Sequence, residues 1–226
     1  MIGEVVVVDD VCSEFVAAVS RLYLAAGQSR FRVALSGGST ARLCYEALAA
    51  SNESAIDWAS VSVFWGDERC VPLDDPDSNF RLADEALLSK VGPVASVHPM
   101  RCEDGADTYD RLLRSAPPLH LVHLGLGPDG HTASLFPESS ALDASPGELV
   151  SLNDDPFGTN PHRRMTLTFA GIERAEHAIV TVSGAGKQEA FARVLAGDQS
   201  APAARLRAKH ALWIVDRAAV GDSLPR

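Results

Sequence analysis

The sequence predicts an α/β fold, a mostly parallel sheet covered by helices on both faces. Three observations carry that prediction. Short apolar runs rich in β-branched residues recur along the chain. Segments with helical spacing of apolar residues separate many of them. Turns rich in glycine, serine or charge follow several of the runs directly. The first run, Val5–Val8, is unbroken valine and reads as a buried strand. Ser13–Ala26 reads as a helix, Phe31–Leu35 as the second strand and Ala41–Ala50 as the second helix. Val61–Trp65 is the next strand, and Phe80–Leu88 the next helix. Leu119–Leu124, Met165–Phe169, Ala178–Val182 and Ala211–Val215 complete the strands, with a helix at Gln188–Leu195. Runs that are continuous rather than alternating belong to strands covered on both faces, as parallel sheets are. The stretch Pro137–Pro161 is rich in Pro, Ser, Asp and Asn, and reads as a long excursion with one strand at Leu149–Leu152. Residues 1–226 fit a single domain.

Composition narrows the function. The chain is 46% hydrophobic and 22% charged, ordinary for a globular protein with a sizeable core. Its formal net charge of −10 disfavours nucleic acid and anionic membranes as partners. An anionic substrate then needs locally placed cations and backbone amides. Cys12, Cys44, Cys70 and Cys102 form no C-x-x-C pair, so neither a zinc site nor a redox dithiol is indicated. Four scattered free thiols suit a reducing compartment. No signal-peptide core and no bilayer-spanning apolar run is visible, so the expectation is cytoplasmic. Nothing sets an oligomeric state, and a monomer is the expectation.

In parallel sheets ligands collect at the carboxyl ends of strands, so the turns there carry the chemistry. Ser36, Gly37, Gly38, Ser39 and Thr40 follow the second strand. Glycines let backbone approach a ligand, and the hydroxyls are suited to cap the next helix and donate to phosphate. The Gly-Lys-Ser/Thr ending of a Walker loop is missing. On its own the run fits a plain strand-to-helix turn equally well. After Val61–Trp65 comes Gly66-Asp67-Glu68-Arg69, a charged run that reads as surface rather than core. Arg69 offers a fork of donors for an anion or a carbonyl, and Asp67 a partner for a hydroxyl or for Arg69. A surface salt-bridge cluster is the alternative.

The third turn, Gly125 to Thr132, formally matches G-x-G-x-x-G. Its mid-chain position and Pro128 argue against a dinucleotide loop. Its useful content is Asp129 and His131, one residue apart at a strand end. Histidine is the natural general base near neutral pH, and a neighbouring carboxylate holds its tautomer. A capping aspartate beside a structural histidine is the plainer alternative. The fourth turn, Gly184-Ala185-Gly186-Lys187, places one of only three lysines at a helix start, where it adds to the dipole and suits an anion. His120 and His123 lie three apart in a strand and so face opposite sides, as packing residues rather than metal ligands. Ser36 and Ser134 lack the G-x-S-x-G elbow of a serine hydrolase. No metal-ligand cluster is visible.

Together these turns resemble the 6-phosphogluconolactonases, within the superfamily that includes glucosamine-6-phosphate deaminase and ribose-5-phosphate isomerase. The resemblance rests on Ala34 to Thr40, Phe64 to Pro72 with Ser78-Asn79, Leu124 to Pro137, Arg164 to Thr168 and Gly184 to Lys187. These run in order along almost the whole chain. The resemblance implies a modified Rossmann-like sheet, the fold that superfamily shares with the CoA transferases. It implies hydrolysis of 6-phospho-D-glucono-1,5-lactone to 6-phosphogluconate in the pentose phosphate pathway, with no nicotinamide, other cofactor or metal. By motif, His131 resembles the base that activates water and Asp129 its support. Arg69, Lys187 and Arg164 resemble the anion-binding residues.

Two other readings differ at defined positions. The deaminases carry a similar Asp-Gly-His loop followed by a carboxylate in an Asn-Glu-Pro context. Here the stretch is Leu135-Phe136-Pro137, with Phe136 at the carboxylate position and Glu138 beyond the proline. Sugar-phosphate-responsive regulators on a similar fold carry an added helix-turn-helix. This chain starts its first strand near Val5, and its acidity disfavours DNA.

Overall fold

The computed structural model describes residues 2–27, 30–51 and 56–221. In chain order the elements are β1 (Glu4–Val8), α1 (Val11–Ala25), β2 (Phe31–Leu35) and α2 (Ser39–Ala50). Next come β3 (Val61–Trp65), β4 (Asp67–Arg69), α3 (Asn79–Ala83), β5 (Ser96–Val97), α4 (Ala106–Ser115) and β6 (Leu121–Gly125). The chain ends with β7 (Val150–Asn153), β8 (Arg164–Leu167), α5 (Phe169–Glu173), β9 (His177–Val182), α6 (Gln188–Leu195), β10 (His210–Asp216) and α7 (Arg217–Val220).

Seven strands form one sheet in the order β1-β10-β9-β6-β2-β3-β5, and every pairing in it is parallel. The chain builds outward from β2 through β3 to β5, then resumes on the other side with β6, β9 and β10. The strand order therefore reverses between β2 and β6, which pair through only Val33↔Leu121 and Ala34↔Val122. The carboxyl ends diverge there and open a crevice, the place where such sheets bind ligands.

The sequence accounts for the elements locally. Asp10 caps α1 by accepting from the amides of Cys12 and Ser13, and Phe15, Ala18, Val19 and Tyr23 form its buried stripe. β2, β3, β6 and β9 are buried along nearly their whole length, as their nearly continuous apolar runs require. Trp65 and Trp213 lie fully buried in the core.

Four expectations are corrected. Asp67–Arg69 is not a loop but β4, and the run around Met165 does not join the parallel sheet. With β7 these strands form a separate antiparallel sheet, β4-β8-β7. At Gly66 the chain leaves the main sheet: its amide donates to the Leu35 carbonyl while its own carbonyl accepts from Leu167. A three-residue strand is too short to show a period. α4 was not anticipated, because it buries only Tyr109 and Leu113 among polar neighbours. Phe80–Leu88 is α3 followed by a π-helical turn at Asp84–Leu88 rather than one α-helix. The thiols are not all free, because Cys70 and Cys102 form a disulfide while the Cys12 and Cys44 sulfurs lie 3.8 Å apart. Among the described residues no helix is long and apolar enough to cross a membrane.

Candidate active site

A cleft of about 200 Å³ opens at the strand-order reversal. Ser36, Gly37, Gly38, Ser39 and Thr40 form one lip, from the end of β2 into α2. Gly38 is the N-cap of α2 at φ +96°, a left-handed conformation that favours glycine, and no side chain caps the helix. The expected hydroxyl cap is therefore absent, and the first-turn amides have no intrahelical acceptor. Gly37 is required by proximity, since a Cβ there would lie 1.8 Å from Asn79 Oδ1.

The opposite lip follows β6. The Asp129 carboxylate accepts from the His131 amide at 3.1 Å and from its Nδ1 at 2.6 Å. A carboxylate only accepts, so Nδ1 carries a proton, and in the neutral ring Nε2 is the nitrogen with the free lone pair. His131 lines the cleft and Asp129 stands behind it. Burial disfavours ionised Asp129, but the hydrogen bond and charge of His131 and the local amides outweigh this and hold its pKa below the ordinary value. A Cβ on Gly127 would lie 2.1 Å from His131 Nδ1, so that glycine lets the couple fold back over its own loop. Phe136, 1% exposed, meets the His131 ring edge to face at 5.0 Å. The Arg193 guanidinium donates to the Asp129 carbonyl and fixes the loop from α6.

β4 and β8 bring Asp67, Arg69 and Arg164 to the same cleft. Asp67 and Glu68 are both buried, against the expectation of a surface run. Ser134 Oγ donates to Asp67 Oδ2 at 2.7 Å, which gives that serine a supporting role. Glu68 accepts from the amides of Arg69, Asn79 and Phe80 and from Ser78 Oγ. Burial pushes its pKa up, opposed by those amides. It ties β4 to α3 and sets Asn79 against Gly37. One Arg69 N–H donates to the Asp77 carbonyl, and Arg164 donates to the carbonyls of Pro161 and His162. Burial and the neighbouring Arg69 pull the Arg164 pKa down.

Lys187 sits in a short turn just before α6, half-buried at the cleft wall. Burial lowers its pKa, and Asp129 opposes this. Among the described residues, no carboxylate lies in ion-pair range of Lys187, Arg69 or Arg164. Three unneutralised cations around one cleft, in a chain of net charge −10, form an electrostatic sink for an anion. Among the described residues no group of three or more His, Cys, Asp or Glu is arranged to hold a metal.

The structure thus brings ten of the eleven candidate residues to the cleft wall and leaves Asp129 in support. Four further polar residues line the wall without a role in the sequence reading: Asn79, Asn160 and Thr181, which it does not single out, and Ser134, which it considers only as a nucleophile. Asn79 and Ser134 lay inside the motif stretches, so their polarity beside Asp67 and His131 was the available signal. Asn160 and Thr181 carried none.

The chain matches the family model of glucosamine-6-phosphate isomerases/6-phosphogluconolactonase over residues 4–215. It is 39% identical over 210 residues to a 6-phosphogluconolactonase of Synechocystis, covering 85% of this chain and 84% of that one. It is 36% identical over 222 residues to a 6-phosphogluconolactonase of Mycobacterium tuberculosis, covering 89% and 88%. Among solved structures it is similar to 6-phosphogluconolactonase from Trypanosoma brucei, with a TM-score of 0.83, 29% identity and 99% of each chain covered. A monomeric glucosamine-6-phosphate deaminase shares the fold at a TM-score of 0.77 with 17% identity. The chain belongs to the glucosamine-6-phosphate isomerase/6-phosphogluconolactonase family.

Proposed function

We propose that this chain hydrolyses 6-phospho-D-glucono-1,5-lactone to 6-phospho-D-gluconate, the lactonase step of the oxidative pentose phosphate pathway, through a water activated by His131. The observation that carries the reading is the Asp129–His131 couple facing three unneutralised cations across one cleft. The relatives bearing the lactonase name support it.

In this reading His131 Nε2 takes a proton from water as the oxygen attacks the lactone carbonyl carbon. Asp129 stabilises the imidazolium that forms. The tetrahedral oxyanion collapses, the ring C–O bond breaks, and the ring oxygen recovers the proton from His131. No covalent nucleophile, metal or nicotinamide takes part. The turn amides and Lys187 receive the phosphate. Arg69 and Arg164 add positive charge for that same phosphate, the substrate's one anionic group, and Asp67, held by Ser134, faces its hydroxyls. The protein works as a single domain, as a monomer, in the cytoplasm.

Phe136 separates this reading from amino-sugar deamination. Deamination needs ring opening and proton transfer between adjacent carbons, hence more than one acid/base group. Phe136 transfers no proton, and its ring packs on His131 where a second carboxylate would be needed. The test uses the purified chain. It should open the phosphorylated lactone well above the spontaneous rate and release no ammonia from glucosamine 6-phosphate. His131→Ala should lower turnover roughly 10²–10⁴-fold, the usual worth of a positioned base. Comparable ammonia release, or near-normal turnover in folded His131→Ala, overturns the proposal.

A further inference from the structure

Beneath the β2 turn lies a chain of buried polar groups that the proposed chemistry does not use. The Ser36 amide donates to the Tyr45 hydroxyl oxygen at 2.7 Å. That oxygen lies 2.9 Å from His123 Nδ1, and His123 Nε2 lies 3.0 Å from Thr181 Oγ1. Tyr45 and His123 are 0% exposed and Thr181 2%. The three side chains come from α2, β6 and β9, so the chain crosses beneath the seam where the strand order reverses. Phe15 packs on the His123 ring at 4.4 Å and closes it off from the side.

An apolar trio would fill this space without exposing the core to unmet hydrogen bonds, so the polar choice needs a reason. Proton transfer is not that reason: burial lowers the His123 pKa to about 3, so the ring is neutral throughout the neutral range. In either proton order of a neutral imidazole, the Ser36 amide still ends on Tyr45. That contact turns the Ser36 peptide into the core. The chain then enters Gly37 and Gly38 in the conformation that points the α2 first turn at the cleft. At the other end, Thr181 reaches the cleft wall.

We propose that Tyr45, His123 and Thr181 are positioning residues that hold the Ser36–Thr40 turn in the shape that receives the substrate's phosphate. The inference rests on the assignment of that turn to phosphate.

Tyr45→Phe removes one oxygen at almost constant volume, and Thr181→Val cuts the opposite end. Steady-state kinetics on 6-phosphogluconolactone and on unphosphorylated gluconolactone, with thermal unfolding of each variant, read the outcome. KM for the phosphorylated lactone should rise roughly tenfold in either variant, the scale of one hydrogen bond, while kcat falls less than about twofold. The double variant should lose much less than the product of the two single effects, since both cut one relay. Equal losses on both lactones in a folded variant, losses in kcat with KM constant, or no change in KM overturn the inference. Lys187→Ala separates the two levels. If it raises KM for the phosphorylated lactone and Tyr45→Phe does not, the relay fails alone. If neither does, the phosphate assignment fails and the relay with it.

Discussion

Replacing His123 by glutamine should flatten the acid limb of the stability curve. The wild-type imidazole is packed under Phe15 with 0% exposure, and desolvation lowers its pKa from 6.5 to about 3. In the unfolded chain the same group titrates near the ordinary histidine value of about 6.5. Between those two values the unfolded state binds the proton and the folded state does not. Stability therefore rises with pH across this window and is lost as pH falls from about 6.5 towards 3. At pH 5 the unfolded imidazole is almost fully protonated and the folded one almost fully neutral. The linkage relation then assigns about 2 kcal/mol of destabilisation to this one group between pH 7 and pH 5. Folded His123 stays neutral at pH 5, so the figure is set by the titration of the unfolded chain. Glutamine keeps one donor and one acceptor but does not titrate. Urea unfolding of wild type and His123→Gln at pH 7, 6 and 5 gives the difference, and the other histidines cancel in it. Wild type should lose about 2 kcal/mol more than the variant over this range. Parallel curves would refute the argument and place the ring in contact with water or with a counter-charge.

Three further outcomes follow from the cleft. Lys187→Ala should weaken binding of the phosphorylated lactone by about 1.5–3 kcal/mol, the scale of a charge-assisted hydrogen bond, and barely touch the unphosphorylated one. Equal losses on both substrates would make Lys187 structural or catalytic instead. Gly127→Ala places a methyl 2.1 Å from His131 Nδ1 and 2.6 Å from Asp129 Oδ1, so the couple must move. A displacement of about 1 Å should cost up to roughly 10²-fold in kcat, read by turnover alongside a thermal melt, and full activity would show that the ring position does not matter. Exhaustive chelation should leave turnover intact, and activity restored only by an added divalent ion would point to a metal role absent from the proposed mechanism.

The parallel sheet was legible because its strands announce themselves. Val5–Val8 and Ala211–Val215 are unbroken apolar runs, and Phe31–Leu35, Val61–Trp65 and Ala178–Val182 are each interrupted once, a form that only strands covered on both faces require. The small antiparallel sheet was not, since β4 is three residues of charge whose pairing with β8 is decided by where Gly66 releases the chain. Glu68 misled for a related reason. A buried carboxylate reads as surface until the amides of Asn79 and Phe80 that satisfy it are seen. The Cys70–Cys102 bond joins two loops whose approach depends on β4 and the segment before α4, and spacing alone carries no such information. The His131 region was legible in residue identity, but its shape was not: that Asp129 turns back on His131 depends on the bare Cα of Gly127. His123 reads from the sequence as packing, correctly as to burial, and Tyr45 carries no signal of its own. The link from His123 through Tyr45 to Ser36 spans three elements and leaves no mark on any one of them.

The placement of β1 has a consequence for how this molecule is made. The Trp213 indole N–H reaches the Ile2 carbonyl, 211 positions away, and among the described residues β1 pairs only with β10. A chain emerging from the ribosome thus presents β1 long before that strand has its neighbour β10. During that interval the valines of β1 have no sheet to join, and α1 must hold its place against β2 and α2 without them. Contacts so distant along the chain form late and slow the final closure, although the entropy of so long a loop grows only logarithmically. β10 is therefore the strand that locks β1, and nascent chains halted before β10 should be the ones that chaperones and proteases find.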